Sequence, residues 1–509
     1  MMRKLRSSVL GTCILAAAIV PPLPARGGET AGFLAGFAER DITPEIGMEM
    51  PGGYGKAFHS RLHDPCKVRA AVFEGGSRRA ALVSVDALMV PRHLVLRARE
   101  RIEKLRGIPP EATLVGATHS HSSGPTGMVQ PGEYDGAPDL VRSLAYEKSS
   151  AADARYLDRV LEAIVEAVSE ADEKRAPAAA GVAVGIEGTV AFNRRFRMRG
   201  GLTFTHPGKG NPDIACAAGP IDPEVGVVGA WSPEGKLLGC VVTYACHATT
   251  NPPGISANWI YYLEKTIRGA FDSDAIVVFL QGFSGDVTQV DNLSPFAERP
   301  GEDGARFVGA RVGAEAVKAL VGMARGPLVP VEARSKVLRI ARRRPAPERV
   351  ERCLEIVRRL PAEVGATEWT FAKEIVLLDW KLQSEPEAEV EVQAVQVGPA
   401  VFLTSPGETF SALGLELKRR SPFPFTFPVE LANGCAGYIP TEDALGEGGG
   451  GYETRLTSYT NLEPAAGARI DEALLELARG LSPGEAPRRP SAPPFREPWS
   501  YGNVPPELR

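Results

Sequence analysis

Seven histidines occur in 509 residues, and two of them stand two apart in the run Ala117-Thr118-His119-Ser120-His121-Ser122-Ser123-Gly124-Pro125. The apolar stretch 112–117 ahead of them reads as a short buried strand, and Gly124-Pro125 halts strand or helix. Side chains two apart on a strand share a face, so His119 and His121 are expected to project together as the chain leaves its sheet. That arrangement suits a metal ion or a general base. His247 stands at the end of a second apolar strand, in Ala245-Cys246-His247-Ala248-Thr249, and Glu408 follows Pro406-Gly407 at the end of a third. A lone histidine is more often structural than functional. Here, however, each follows an apolar strand beside small residues, which is how a rigid scaffold presents ligands to a pocket. Two histidines and a glutamate around zinc leave an open position for water, whose pKa the metal lowers to about 7.

The elements that must position these residues alternate strand with helix, so the expected class is α/β, with mixed sheets in layers covered by helices. A hairpin is expected from Val68–Phe73 and Ala80–Val85, with its turn in Glu74-Gly75-Gly76-Ser77. Asp86 ends the second strand, either as a functional residue or as a cap for the amphipathic helix 91–105. A helix follows over 155–170, then a strand over 181–192 running into Asn193-Arg194-Arg195. A second hairpin, 225–231 with 237–244, delivers His247. The helix 259–271 leads to the buried strand 275–280 and then to Gln281-Gly282-Phe283-Ser284-Gly285-Asp286-Val287-Thr288. Residues 345–382 read as a charged helical insertion, strands return at 390–396, 400–403 and 425–431, and the chain past Arg479 is Pro-rich.

Basic and acidic residues nearly balance, 58 against 62, which disfavours a nucleic-acid partner. The basic head Met1-Met2-Arg3-Lys4-Leu5-Arg6, an uncharged core and Pro24-Ala25 read as a signal peptide over 1–25 and lead us to expect a secreted or periplasmic protein. No later stretch reaches the roughly 20 apolar residues of a spanning helix. Six cysteines follow Cys13, namely Cys66, Cys216, Cys240, Cys246, Cys353 and Cys435, so disulfides are permitted in an export compartment. None forms a C-x-x-C pair, which argues against a cysteine-built zinc site.

The runs T-H-S-H-S-S-G-P at 118–125, C-H-A-T at 246–249, G-D-V-T at 285–288, P-G-E at 406–408 and G-Y-I-P-T at 437–441 resemble, in that order, the neutral/alkaline non-lysosomal ceramidase family. The resemblance spans roughly 32–480. It implies a zinc-dependent hydrolase of N-acyl amide bonds that uses zinc-activated water, a lipid amide as substrate, and peripheral contact with a membrane surface. Its zinc ligands map onto His119, His247, Glu408 and Tyr438. His121 then becomes a polar catalyst beside the scissile bond, Tyr452 a second active-site tyrosine, and Asn193 with Arg194 the substrate-binding step.

Two departures stand beside this resemblance. The ceramidases carry a catalytic serine after the Gly-Asp-Val motif where this chain has Thr288, whose hydroxyl remains but whose χ1 is restricted. Only the Pro-rich residues 481–509 follow the last helix, so the immunoglobulin-like β-sandwich of full-length ceramidases is expected to be missing. An ester or a sugar N-acetyl group as the bond cleaved, or a catalytically silent binding protein, are the alternative readings.

Overall fold

The computed structural model describes residues 32–494, 496–502 and 504–509. The signal-peptide expectation for residues 1–25 therefore lies outside the described residues. Strands β1 (Phe33–Asp41), β2 (Lys67–Gly75), β3 (Arg78–Val85) and β4 (Thr113–Ala117) form a sheet in the order β4-β3-β2-β1, with Ala176–Pro177 on its outer edge. The β2–β3 hairpin turns through Gly76 at φ +70°. β3 and β4 are parallel and joined by the helix α1 (Arg92–Arg106), so Val85 and Ala117 finish side by side.

The same unit recurs twice. In the second sheet, Leu237–Tyr244 and Ile276–Gln281 are parallel across the helix Trp259–Phe271, with Tyr244 opposite Gln281. In the third, Ala400–Thr404 and Phe425–Val429 are parallel across the helix Ser411–Arg420, with Thr404 opposite Val429. Such strand–helix–strand crossovers leave loops at the carboxyl ends of the strands, where open α/β sheets place ligands.

Strand alternation sets the layers. In Ile276–Gln281, Val278 and Leu280 face a core shared with the first sheet, while Val277 and Phe279 face a second core under Trp259 and Val312. In the third sheet, Val395, Val397 and Phe402 join the first core, and Val390, Val392 and Leu403 pack on the helix Ala466–Arg479. Burying each such side chain is worth roughly 1.5–3 kcal/mol, which is why strands apolar on both faces end up between layers. The fold class is thus mixed α/β, as the sequence implied.

Two local features differ from the sequence reading, and two more decide what it left open. The strand expected over 181–192 stops at Ile186, because the Glu187 carboxylate accepts from both the N–H and the hydroxyl of Thr189 and turns the chain at Gly188. Val331–Ala341 is an eleven-residue strand that the sequence reading did not anticipate; it lies at a sheet edge with most of its residues at least partly exposed, so no apolar run marks it. Asp86 caps nothing: it is buried, accepts from Arg69 at 2.8 Å, and joins the Arg69–Glu264 ion pair that ties β2 to the helix Trp259–Phe271. The six described cysteines are free thiols.

The charged segment folds as helices Pro347–Val357 and Ala366–Ser384, packed on Asp139–Tyr146 around Tyr134, Cys353 and Val376. Beyond the last helix, Ser482 and Gly484 are hydrogen-bonded to Gln396 and Gly398 of the third sheet. Among the described residues no helix is long and apolar enough to cross a membrane.

Candidate metal centre

His119 and His121 do meet, but not by strand alternation. β4 ends at Ala117, and His119 takes the left-handed conformation at φ +62°, a backbone state costing a non-glycine residue of order 1–2 kcal/mol. The turn is held by Thr118 N–H to Val85 O at 2.9 Å, Ser120 N–H to Ala87 O at 3.1 Å, and His59, whose ring donates to Ser123 O at 2.8 Å. The two Nε2 atoms come to 3.3 Å. Gly52 closes over this turn at φ +108°; a Cβ there would lie 2.4 Å from Nδ1 of His121, so only glycine fits.

His247 arrives from the second sheet, and its nitrogens join those of His119 and His121 in one group whose ligand atoms lie within 4.8 Å of one another. The third sheet contributes Glu408. Its Oε2 is 3.0 Å from Nε2 of His247 and 3.3 Å from Nε2 of His119. All three residues are buried, and His121 is half-buried.

The ring orientations decide the chemistry of this contact. Nδ1 of His119 lies 2.9 Å from Leu88 O and Nδ1 of His247 lies 2.8 Å from Ser284 O. A carbonyl oxygen only accepts, so each Nδ1 carries a ring hydrogen and each ring turns its Nε2 toward the carboxylate. Burial, then Arg194 and His119, push His247 down to about 3, so it is neutral at pH 7. The neutral His247 ring faces the anionic oxygen with a lone pair, a repulsive contact that a cation among the three groups relieves. The donor set therefore fits a divalent metal ion, with backbone carbonyls orienting the ligating rings from behind.

Tyr438 reaches the site through register. The short parallel pair Glu408–Thr409 and Tyr438–Ile439 sets Tyr438 directly opposite Glu408. Gly437 makes this approach feasible, because a Cβ there would sit 1.8 Å from Tyr459 O. The Tyr438 hydroxyl accepts from Arg194 at 3.1 Å; burial and then Glu408 push this phenol well above its ordinary range, with Arg194 opposing. Arg194 is buried and also donates to Glu453 and to Gly285 O, so it braces Tyr438 as well as supplying positive charge.

The remaining expected residues stand one step away. Asn193 donates to Asp286 and Pro220 O and accepts from Arg195 N–H, which commits its amide to holding the 284–289 loop. Thr288 pairs with Phe192 across a short antiparallel ladder, and its Oγ accepts from Val290 N–H at 3.3 Å. Tyr452 packs its ring on that of Tyr438, with centroids 5.6 Å apart, and is 37% exposed; burial and Glu408 raise its phenol to about 12.

Sequence reasoning missed four contributors. Tyr459 donates to Oε1 of Glu408 at 2.8 Å, Glu453 holds Arg194, Ser284 supplies the carbonyl for His247, and Tyr54 packs on Tyr452 at 6.2 Å. Ser284 alone had a local signal, in the strand-end run after Gln281. A cavity of about 900 Å³ is lined by Met128, Tyr134, Cys435, Gly437 and Tyr459, and none of the three histidines borders it.

No family model matches the chain, and no curated protein matches it in sequence. Solved structures match it in fold, among them two ceramidases. A ceramidase complexed with C2 is 17% identical at a TM-score of 0.65, over 91% of this chain and 77% of that one. Neutral ceramidase from Pseudomonas aeruginosa is 19% identical at a TM-score of 0.66, with the same coverage. Over nine-tenths of its length, this chain has the fold of the neutral ceramidases.

Proposed function

We propose that the protein is a zinc-dependent hydrolase of N-acyl amide bonds, ceramidase-like in its choice of a lipid amide. The observation that carries this reading is the meeting of two Nε2 atoms on the Glu408 carboxylate, with each Nδ1 hydrogen committed to a backbone carbonyl. His119, His247 and Glu408 would hold the ion, with Tyr438 the fourth ligand that the resemblance assigns. When bound, zinc supplies Lewis acidity toward the amide carbonyl and a source of hydroxide at neutral pH.

The chain's own groups do the rest. Burial, then His119 and His247, depress His121 well below the usual imidazole range, so its ring stays neutral and acts as a hydrogen-bonding partner for the reacting groups. Tyr452 is protonated at neutral pH and partly exposed, and in this reading it donates to the developing oxyanion or to the leaving amine. Arg194 keeps a buried positive charge beside Tyr438: burial opposes that charge, and Tyr438, Glu453 and Glu408 favour it. The reading includes export, which rests on the sequence of residues 1–25.

The test is metal content together with a panel of fluorogenic N-acyl amides, carboxylic esters and N-acetyl sugars. We expect one zinc per chain, cleavage of long-chain amides ahead of the other classes, loss on chelation and return with zinc. Preferential cleavage of esters or N-acetyl sugars would move the reading to that bond. Zinc-loaded protein that cleaves nothing in the panel would favour a silent binding protein, the reading that Thr288 in place of serine motivates.

A further inference from the structure

Lys373 is 1% exposed, yet it carries an ammonium with four oxygen partners. It donates to Tyr54 O at 2.7 Å, Ser149 Oγ at 2.6 Å and Lys148 O at 3.4 Å, and pairs with Glu374 at 3.0 Å. Glu374, also buried, accepts from the hydroxyl of Ser458. A buried ion pair gives little net stability over apolar packing, so its presence calls for another reason. What the pair touches supplies one.

Tyr54 lies at the tip of the loop closed by Met50 N–H to Ala57 O. This loop carries Gly52 against His121 and the Tyr54 ring between Phe371 and Tyr452. Ser458 immediately precedes Tyr459, whose hydroxyl holds Glu408. Adjacent residues of one helix, Ala366–Ser384, thus hold two separate walls of the site.

We infer that Lys373 and Glu374 are positioning residues of the metal centre: Lys373 sets the Tyr54 loop over His121, and Glu374 sets Tyr459 on Glu408. The helical insertion is then part of the site rather than a peripheral addition. The Glu374 half rests on the metal reading above, whereas the Lys373 half does not.

The two halves separate experimentally. Lys373→Met should speed amide hydrogen exchange in 50–57 about tenfold or more, as a local opening does, while zinc affinity, measured against a competing chelator, stays within about twofold. Ser458→Ala, which cuts the Glu374 contact without stranding a charge, should do the reverse. It should weaken zinc roughly tenfold, the scale of an outer-shell loss, and leave exchange in 50–57 unchanged. If Lys373→Met does not fold, the double variant Lys373→Met/Glu374→Leu removes both charges together and should move both readouts. Readouts that move together in each single variant, or in neither, overturn the inference. Wild-type protein that takes up no zinc overturns the proposed function, and the exchange measurement still decides the Lys373 half.

Discussion

The two walls of the centre are built on different principles. The histidine wall comes from the carboxyl ends of parallel strands, and its rings are oriented by backbone carbonyls, Leu88 O for His119 and Ser284 O for His247. The tyrosine wall comes from loops and short ladders, and its phenols are oriented by other side chains: Arg194 on Tyr438, Glu408 with Tyr459, and the ring of Tyr54 on Tyr452. A backbone-anchored ring moves only if the sheet moves. A phenol anchored by side chains can be released by one distant substitution, so tuning of the site is concentrated in the second wall.

The sharpest break of this contrast is His247→Ala. It should abolish stoichiometric zinc and lower kcat/KM by at least about 10³-fold, while the melting temperature of the metal-free protein stays close to that of metal-free wild type. Retained zinc would mean that the histidine wall is not the metal wall. Tyr452→Phe should lower kcat by about 10²-fold with zinc content intact, the scale of a lost proton donor. An unchanged kcat would remove Tyr452 from the chemistry.

Acid provides a third comparison, on metal-free protein. The folded His247 takes its proton only near 3, whereas the unfolded chain takes it near 6.5. Stability should therefore be flat above about pH 6.5 and fall as the pH drops toward 3, by a few kcal/mol, because the unfolded state binds the proton first. Urea melts across that range should show the slope in wild type and a shallower one in His247→Gln. The smallest effect is expected from Tyr459→Phe: zinc affinity lower by about tenfold from the loss of a hydrogen bond to Glu408, with little change in melting temperature. A loss as large as that of His247→Ala would erase the distinction between the walls.

The histidine wall was legible because its signals are local. Apolar strands ending in His119, His247 and Glu408 can be read within windows of ten residues, and the crossover helices between parallel strands follow from the same periodicity. The tyrosine wall was half legible. Tyr438 and Tyr452 lay in runs resembling a known family, but Tyr459, Tyr54 and Glu453 sit in polar loops with no periodicity. Asn193 and Arg194 were noticed as the substrate-binding step, and the structure adds that they brace the 284–289 loop and Tyr438. Adjacency along the chain says which residues are near a site and not which hydrogen bonds they already make.

By itself, the sequence determined most of the apolar strands and the helices, though not the exposed edge strand Val331–Ala341 or the end of the strand at Ile186, and that imidazole and carboxylate follow the strands that carry the site, since this depends on neighbours within a turn or a strand length. Only the tertiary structure decided that three strand ends meet at one point, which Nε2 faces Glu408, and that His121 converges with His119 through a left-handed residue rather than through alternation. Those outcomes depend on strand register and on hydrogen bonds between residues as far apart as Leu88 and His119, His247 and Glu408, or Tyr54 and Lys373, and no local pattern encodes them.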